Sequence, residues 1–201
     1  MKVVGLTGGI ASGKSTVSRF LREMGAPVVD ADVIVHELQQ PGTAVLAAIV
    51  DQFGLEVLRP DGTLDRARLG QRVFADPQQR RQLEAIVHPA VEERMWAEVA
   101  RLRSAGAQAV VLDVPLLIEG GLYKQVDRVW LVYVDRATQR ARLIERDHLS
   151  PAAAEARLAA QMPLDQKRQV ADLVIDNRGS QGETRRQVEE AWRVIRQDKG
   201  E

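Results

Sequence analysis

Residues 3–17 read Val3-Val4-Gly5-Leu6-Thr7-Gly8-Gly9-Ile10-Ala11-Ser12-Gly13-Lys14-Ser15-Thr16-Val17. Within them Gly8–Ser15 fills every fixed position of the pattern GxxxxGK[ST]. That pattern acts only where a strand enters and a helix leaves. Here an apolar run, Lys2–Thr7, predicts the strand, and an amphipathic pattern over Lys14–Met24 predicts the helix. The glycines let successive backbone N–H groups of Gly8, Gly9, Ile10, Ala11, Ser12 and Gly13 converge on phosphate oxygens. The helix N-terminus adds its dipole to that anion site. Lys14 is placed to reach β- and γ-phosphates, the Ser15 hydroxyl to ligate Mg²⁺, and Thr16 to meet the α-phosphate.

Working outward, short Val-, Leu- and Ile-rich runs recur at Pro27–Asp30, Ala109–Val114, Arg128–Val134 and Leu173–Asp176, with helical patterns between them. That alternation predicts an α/β fold with a five-stranded parallel sheet buried on both faces. A closing helix is expected over Thr184–Gln197. Two stretches exceed a minimal core. The first, from about Val33 to Arg103, is mostly helical. It is broken by Arg59-Pro60-Asp61-Gly62, by Asp76-Pro77 and by His88-Pro89, and reads as an acceptor-binding insertion. The second, Arg136–Arg168, carries a helix at Ala137–Asp147 and another opened by the N-cap pair Ser150-Pro151, and reads as a lid. The expected division is therefore a core of residues 1–32, 104–135 and 169–201, an insertion of 33–103 and a lid of 136–168.

Ligands of a doubly wound sheet bind beyond the carboxyl ends of its strands, which directs attention to Asp30-Ala31-Asp32 and Asp113. In an extended segment Asp30 and Asp32 point to one side, a candidate pair for Mg²⁺ and acceptor work; Asp32 also sits where a helix N-cap belongs, and the roles are compatible. Asp113 closes an apolar strand as a Walker-B carboxylate does. Glu119, in the loop beyond, is a candidate for the acceptor or the metal shell. The lid holds seven basic residues (Arg136, Arg140, Arg142, Arg146, Arg157, Lys167 and Arg168) against four acidic ones. Arg142 and Arg146 share a helix face, and guanidinium groups there suit the charge of a transferring phosphoryl group; each also suits a solvated surface. Trp96, Trp130 and Trp192 read as packing residues, and His36 and His148 as surface or packing residues.

The whole chain sets bounds. Its 28 basic and 28 acidic residues cancel, which argues against nucleic-acid or membrane-surface binding. Zero cysteines exclude a disulfide framework, a thiolate nucleophile and a cysteine metal site. The opening MKVVGLTGG is too short and glycine-rich for a signal peptide, no run is long enough to span a bilayer, and a cytoplasmic location is the default expectation.

The ordered set GLTGGIASGKSTV (Gly5–Val17), VVDAD (Val28–Asp32), His88-Pro89, VPLLIEGGLY (Val114–Tyr123), RLAAQMP (Arg157–Pro163) and ADLVIDNRGS (Ala171–Ser180) resembles the dephospho-coenzyme A kinase family over nearly the whole chain. The resemblance implies a P-loop kinase with a helical CoA-binding domain and a lid, acting with ATP and Mg²⁺ and needing no obligate protein partner. It implies transfer of phosphate to the 3′-hydroxyl of the dephospho-CoA ribose. It places the base on Asp32 and the adenine-side loop on Asp176-Asn177, and it implies acceptor contacts at Thr7, Asp32, His88, Pro115, Leu116 and Glu119. Another P-loop kinase of small molecules or nucleoside monophosphates is the alternative. A GTPase is disfavoured because no [NT]KxD motif exists, and the DxxG match Asp51–Gly54 lies in the helical insertion.

Overall fold

The computed structural model describes residues 1–198; residues 199–201, the tail of the expected core segment, lie outside the described residues. The chain divides into two compact units, one formed by Met1–Val29 with the chain from Arg101 onward, the other by Asp30–Ala100.

In the first unit the strands are β1 (Lys2–Gly8), β2 (Val28–Asp30), β3 (Ala109–Asp113), β4 (Arg128–Tyr133) and β5 (Leu173–Asp176), in the spatial order β2-β3-β1-β4-β5. The pairings β1–β3, β1–β4 and β4–β5 are parallel, with Leu6 opposite Asp113, Gly8 opposite Val132 and Tyr133 opposite Asp176. That register brings the carboxyl ends of β1, β3, β4 and β5 to one edge, where the order reverses around β1. All five strands were expected from their apolar runs, and each lies within a residue of its expected bounds.

Helices α1 (Lys14–Glu23) and α9 (Gln181–Gln197) cover one face of the sheet. Val17, Phe20 and Leu21 of α1 and Val188, Trp192 and Ile195 of α9 pack on Val4, Leu6, Val111, Trp130 and Ile175, all fully or nearly buried. Truncating a buried Trp such as Trp130 or Trp192 to Ala costs about 3–5 kcal/mol by cavity formation. Helices α6 (Arg136–Asp147), α7 (Pro151–Ala159) and α8 (Leu164–Arg168) complete this unit. Leu143, Ala154 and Leu158 form their own cluster with Ile10 and Ala11 against it, while Leu164 packs with Leu131 and Val134. The expected lid segment clusters with the core strands rather than as a separate unit.

The second unit carries α2 (Ala31–Leu38), α3 (Ala44–Phe53) and α4 (Arg66–Ala75), and α5 (Pro77–Ser104) leads out of it. Arg59–Gly62 makes the expected turn, closed by Gly62 N–H donating to the Arg59 carbonyl (3.0 Å) with Gly62 at φ 80°. Gly54 of the DxxG match is the positive-φ C-cap of α3, a structural duty that accounts for it. One expectation fails here. His88-Pro89 is no helix break: α5 runs through Pro89 as one helix of 28 residues. Val87, Val91, Met95 and Val99 recur every fourth residue on its buried side, and this packing outweighs the hydrogen bond that Pro89 cannot make.

Candidate active site

Among the helices of eight or more residues, α1 is begun differently; the five-residue α8 also lacks a side-chain cap. α2, α3, α4, α6, α7 and α9 each open on a side chain that accepts a backbone N–H, from Asp30, Thr43, Asp65, Asp135, Ser150 and Ser180 respectively. α1 opens on Gly13, left-handed at φ 88°, with no side-chain cap and no acidic residue in its first turn. Its positive end is therefore offered to an external anion. Ala11, at φ 59°, is a second left-handed position in the same loop. The loop borders an open cleft of about 750 Å³ lined by Gly8–Ala11, Gly13–Thr16, Arg142, Arg146 and Asn177.

Lys14 points its ammonium at Asp113, with Nζ 2.5 Å from Oδ1. The other Asp113 oxygen accepts from the Ser18 hydroxyl. Asp113 is nearly buried (2% exposed), and its two oxygens hold the start of α1 against the end of β3. Ser15, by contrast, is exposed at the cleft.

Asn177, expected on the adenine side, turns out to brace the loop. Its Nδ2 donates to the Ser12 carbonyl (2.8 Å), and its Oδ1 accepts from the Thr184 hydroxyl (2.8 Å). A Cβ on Gly13 would lie 2.0 Å from that same Nδ2, so both the positive φ and the close approach require glycine there. Arg142 donates to the Asn177 carbonyl (2.9 Å) and faces the cleft. Two further side chains, missed in the sequence, clamp the loop at Ile10: Gln139 donates to its carbonyl (2.8 Å) and Gln161 accepts from its N–H (2.8 Å). The signal for Gln161 stood in RLAAQMP, but nothing there said that it meets the backbone.

The basic residues of Arg136–Arg168 separate by partner. Arg136 and Arg140 pair with Glu155 (2.6 and 3.4 Å), and Arg157 with Asp147 (2.7 Å). Arg146 also holds Asp147 (2.7 Å) while lining the cleft. Its hydrogen bonds keep the Asp147 carboxyl below the usual carboxylate range and raise the guanidinium above its ordinary value. Asp147 thus keeps its charge to lower pH than an unpaired carboxylate would. Arg142 and Arg146 alone among these seven border the cleft.

Several expected site residues carry contacts of their own. Thr7 is fully buried and its hydroxyl donates to the Pro115 carbonyl (3.0 Å), so it shapes the loop after β3. Glu119 pairs with the buried ammonium of Lys167 (2.8 Å). Asp30 and Asp32 do not form an extended pair, because α2 begins at Ala31. Asp30 is the cap, accepting from the N–H of Asp32 (3.1 Å) and Val33 (3.3 Å), and Asp32 lies exposed in the first turn. Asp32 and His88 belong to the second unit, where both are exposed. Pro115 borders the cleft, and Leu116 is 45% exposed, unusual for a large apolar side chain.

The Dephospho-CoA kinase family model matches residues 2–183. A dephospho-CoA kinase of Symbiobacterium thermophilum is 63% identical over 96% of this chain and 81% of its own length. The solved dephospho-CoA kinase of Campylobacter jejuni superposes with a TM-score of 0.75 at 28% identity, covering 98% of both chains. A shikimate kinase of Acinetobacter baumannii superposes at a TM-score of 0.52 with 19% identity, over 100% of this chain and 96% of its own; that likeness shows the fold alone.

Proposed function

This chain belongs to the dephospho-CoA kinase family, and from that premise we propose that the cleft at the start of α1 is the seat of its reaction. The protein is a kinase that takes phosphate from ATP and transfers it to the 3′-hydroxyl of the dephospho-CoA ribose, the last step of coenzyme A synthesis. The observation that carries the assignment to this cleft is the uncapped α1 N-terminus, with Lys14 and Arg142 beside it.

Phosphates enter against the N–H groups of Gly9–Ser15, where the α1 dipole favours negative charge. Lys14 leaves Asp113 for the β- and γ-oxygens, and Thr16 meets the α-phosphate. Arg142 reaches the cleft directly, and Arg146 reaches it by exchanging Asp147 for phosphate. Both then offset charge on the transferring group.

The oxygen donors at this site are the exposed Ser15 hydroxyl and the Asp113 carboxylate, and the described residues hold no cluster of three metal-ligating side chains. That sparse, hard set fits Mg²⁺, which takes few protein ligands and keeps water and phosphate oxygens. Ser15 would hold it directly and Asp113 through water, and the ion would neutralise charge on the β- and γ-phosphates.

Asp32 accepts the proton of the 3′-hydroxyl and aims its oxygen, a role supported by the VVDAD match and by its freedom from capping duty. His88, Pro115 and Leu116 contact the acceptor. The Asp30–Ala100 unit is the acceptor-binding part, and Arg136–Arg168 closes over the nucleotide. Dephospho-CoA is the one partner required, and the enzyme works in the cytoplasm, where ATP is supplied. No helix among the described residues is long and apolar enough to cross a membrane.

Acceptor choice is tested by following ADP release with ATP and Mg²⁺ against dephospho-CoA, shikimate, gluconate and nucleoside monophosphates. Dephospho-CoA should turn over at least roughly 10²-fold faster by kcat/KM than any other, as a site built to hydrogen-bond its substrate discriminates. Preference for a nucleoside monophosphate would overturn the assignment.

A further inference from the structure

Lys167 is fully buried, at 0% exposure. An ammonium taken out of water is costly unless its N–H groups are met. Three acceptors surround this one: Glu119 Oε1 at 2.8 Å, the Gly8 carbonyl at 3.0 Å and the Pro115 carbonyl at 3.2 Å. An ammonium has three N–H donors, so the set is filled.

The acceptors have meaning by position. Gly8 ends β1 and opens the phosphate loop. Pro115 and Glu119 lie in the loop that follows Asp113 at the end of β3, and the Pro115 carbonyl also accepts from Thr7. Lys167 itself stands on α8, just after Gln161, which holds the Ile10 N–H. One buried charge therefore joins the phosphate loop, the post-β3 loop and the Arg136–Arg168 segment at a point. Stability alone does not call for it, since an apolar side chain of similar volume commonly serves as well as a buried ion pair. An ammonium with its donors filled does what an apolar filler cannot: it fixes the separation and direction of the groups that it bonds.

We propose that Lys167 is a positioning residue for phosphoryl transfer, setting the phosphate loop against the Pro115–Glu119 loop through the Gly8 and Pro115 carbonyls and the Glu119 carboxylate. It touches neither nucleotide nor acceptor. The proposal rests on the reading of the cleft given above, and its test keeps the two apart.

Full-length wild type, Lys167→Met and the double variant Lys167→Met/Glu119→Gln are compared by thermal melting, ATP binding by calorimetry, and kcat and KM for dephospho-CoA. Lys167→Met leaves Glu119 without its cation and should melt lower. The double variant removes both charges and should recover most of that loss. Its kcat should nevertheless stay down by roughly 10–100-fold, the scale of a small misplacement of reacting groups, with ATP affinity within a few-fold of wild type. A double variant with wild-type kcat overturns the proposal, as does Lys167→Met with undiminished kcat. The double variant carries the test if the single one fails to fold. A wild-type enzyme that makes no coenzyme A overturns the reading of the reaction itself, whatever the variants do.

Discussion

Asp30 and Asp32 stand two residues apart in different settings. The Asp30 carboxylate takes the N–H groups of Asp32 and Val33, which completes the cap of α2. Asp32 lies exposed on the first turn of α2, outside the capping position, and the proposed reaction assigns it the acceptor hydroxyl. Asp32→Asn should therefore leave the melting temperature and ATP affinity near wild type while kcat falls by roughly 10²–10⁴, the usual loss on removing a positioned base. Steady-state kinetics beside calorimetry reads both. A variant with full turnover would remove Asp32 from the reaction and direct the search to Asp113. The DAD triplet announced two carboxylates but not their division of labour, because that depends on the residue at which strand turns into helix. The placement of Gly13, Lys14 and Ser15 at the start of α1 was legible because it follows from backbone geometry at fixed spacing. Lys167 was not. A lysine within a basic stretch reads as solvated, and only the fold shows that its ammonium points inward at three acceptors.

At the scale of elements, the strands were legible because parallel strands buried on both faces are nearly continuous apolar runs, as AVVLD and RVWLVY are. Helix α7 was legible from Ser150-Pro151, and the structure shows the Ser150 hydroxyl accepting from Ala153 N–H at 3.2 Å. The reading of Pro89 failed because a local breaker was weighed without the packing of a long helix. For Arg136–Arg168, the basic excess left open which cations serve phosphate and which the surface; Arg136, Arg140 and Arg157 are engaged by Glu155 and Asp147. The two that border the cleft are Arg142 and Arg146, the latter held by Asp147. Closure on substrate should tighten this segment, since lids exclude water and complete the site. Amide hydrogen exchange across Arg136–Arg168 should slow when ATP and dephospho-CoA bind together, more than with either alone. Unchanged exchange would make the segment fixed scaffold.

For the molecule as a whole, the sheet order places the Gly8–Ser15 loop where strand connections diverge, which is where the proposed nucleotide site lies. Acceptor identity does not. Composition and periodicity fit any small-molecule kinase of this fold, and it took the ordered motifs, then the 63% identical relative, to single out dephospho-CoA. The most direct measurement is mass spectrometry of the product from ATP, Mg²⁺ and dephospho-CoA, run with wild type and Lys14→Ala and repeated with a 3′-deoxy acceptor. Wild type should add one phosphoryl group to dephospho-CoA and none to the 3′-deoxy analogue. Lys14→Ala should remain folded and slow the transfer by at least roughly 10²-fold, because positioning and charge supply most of the rate. Transfer to the 3′-deoxy acceptor, or near-normal transfer by Lys14→Ala, would contradict the assignment of this cleft.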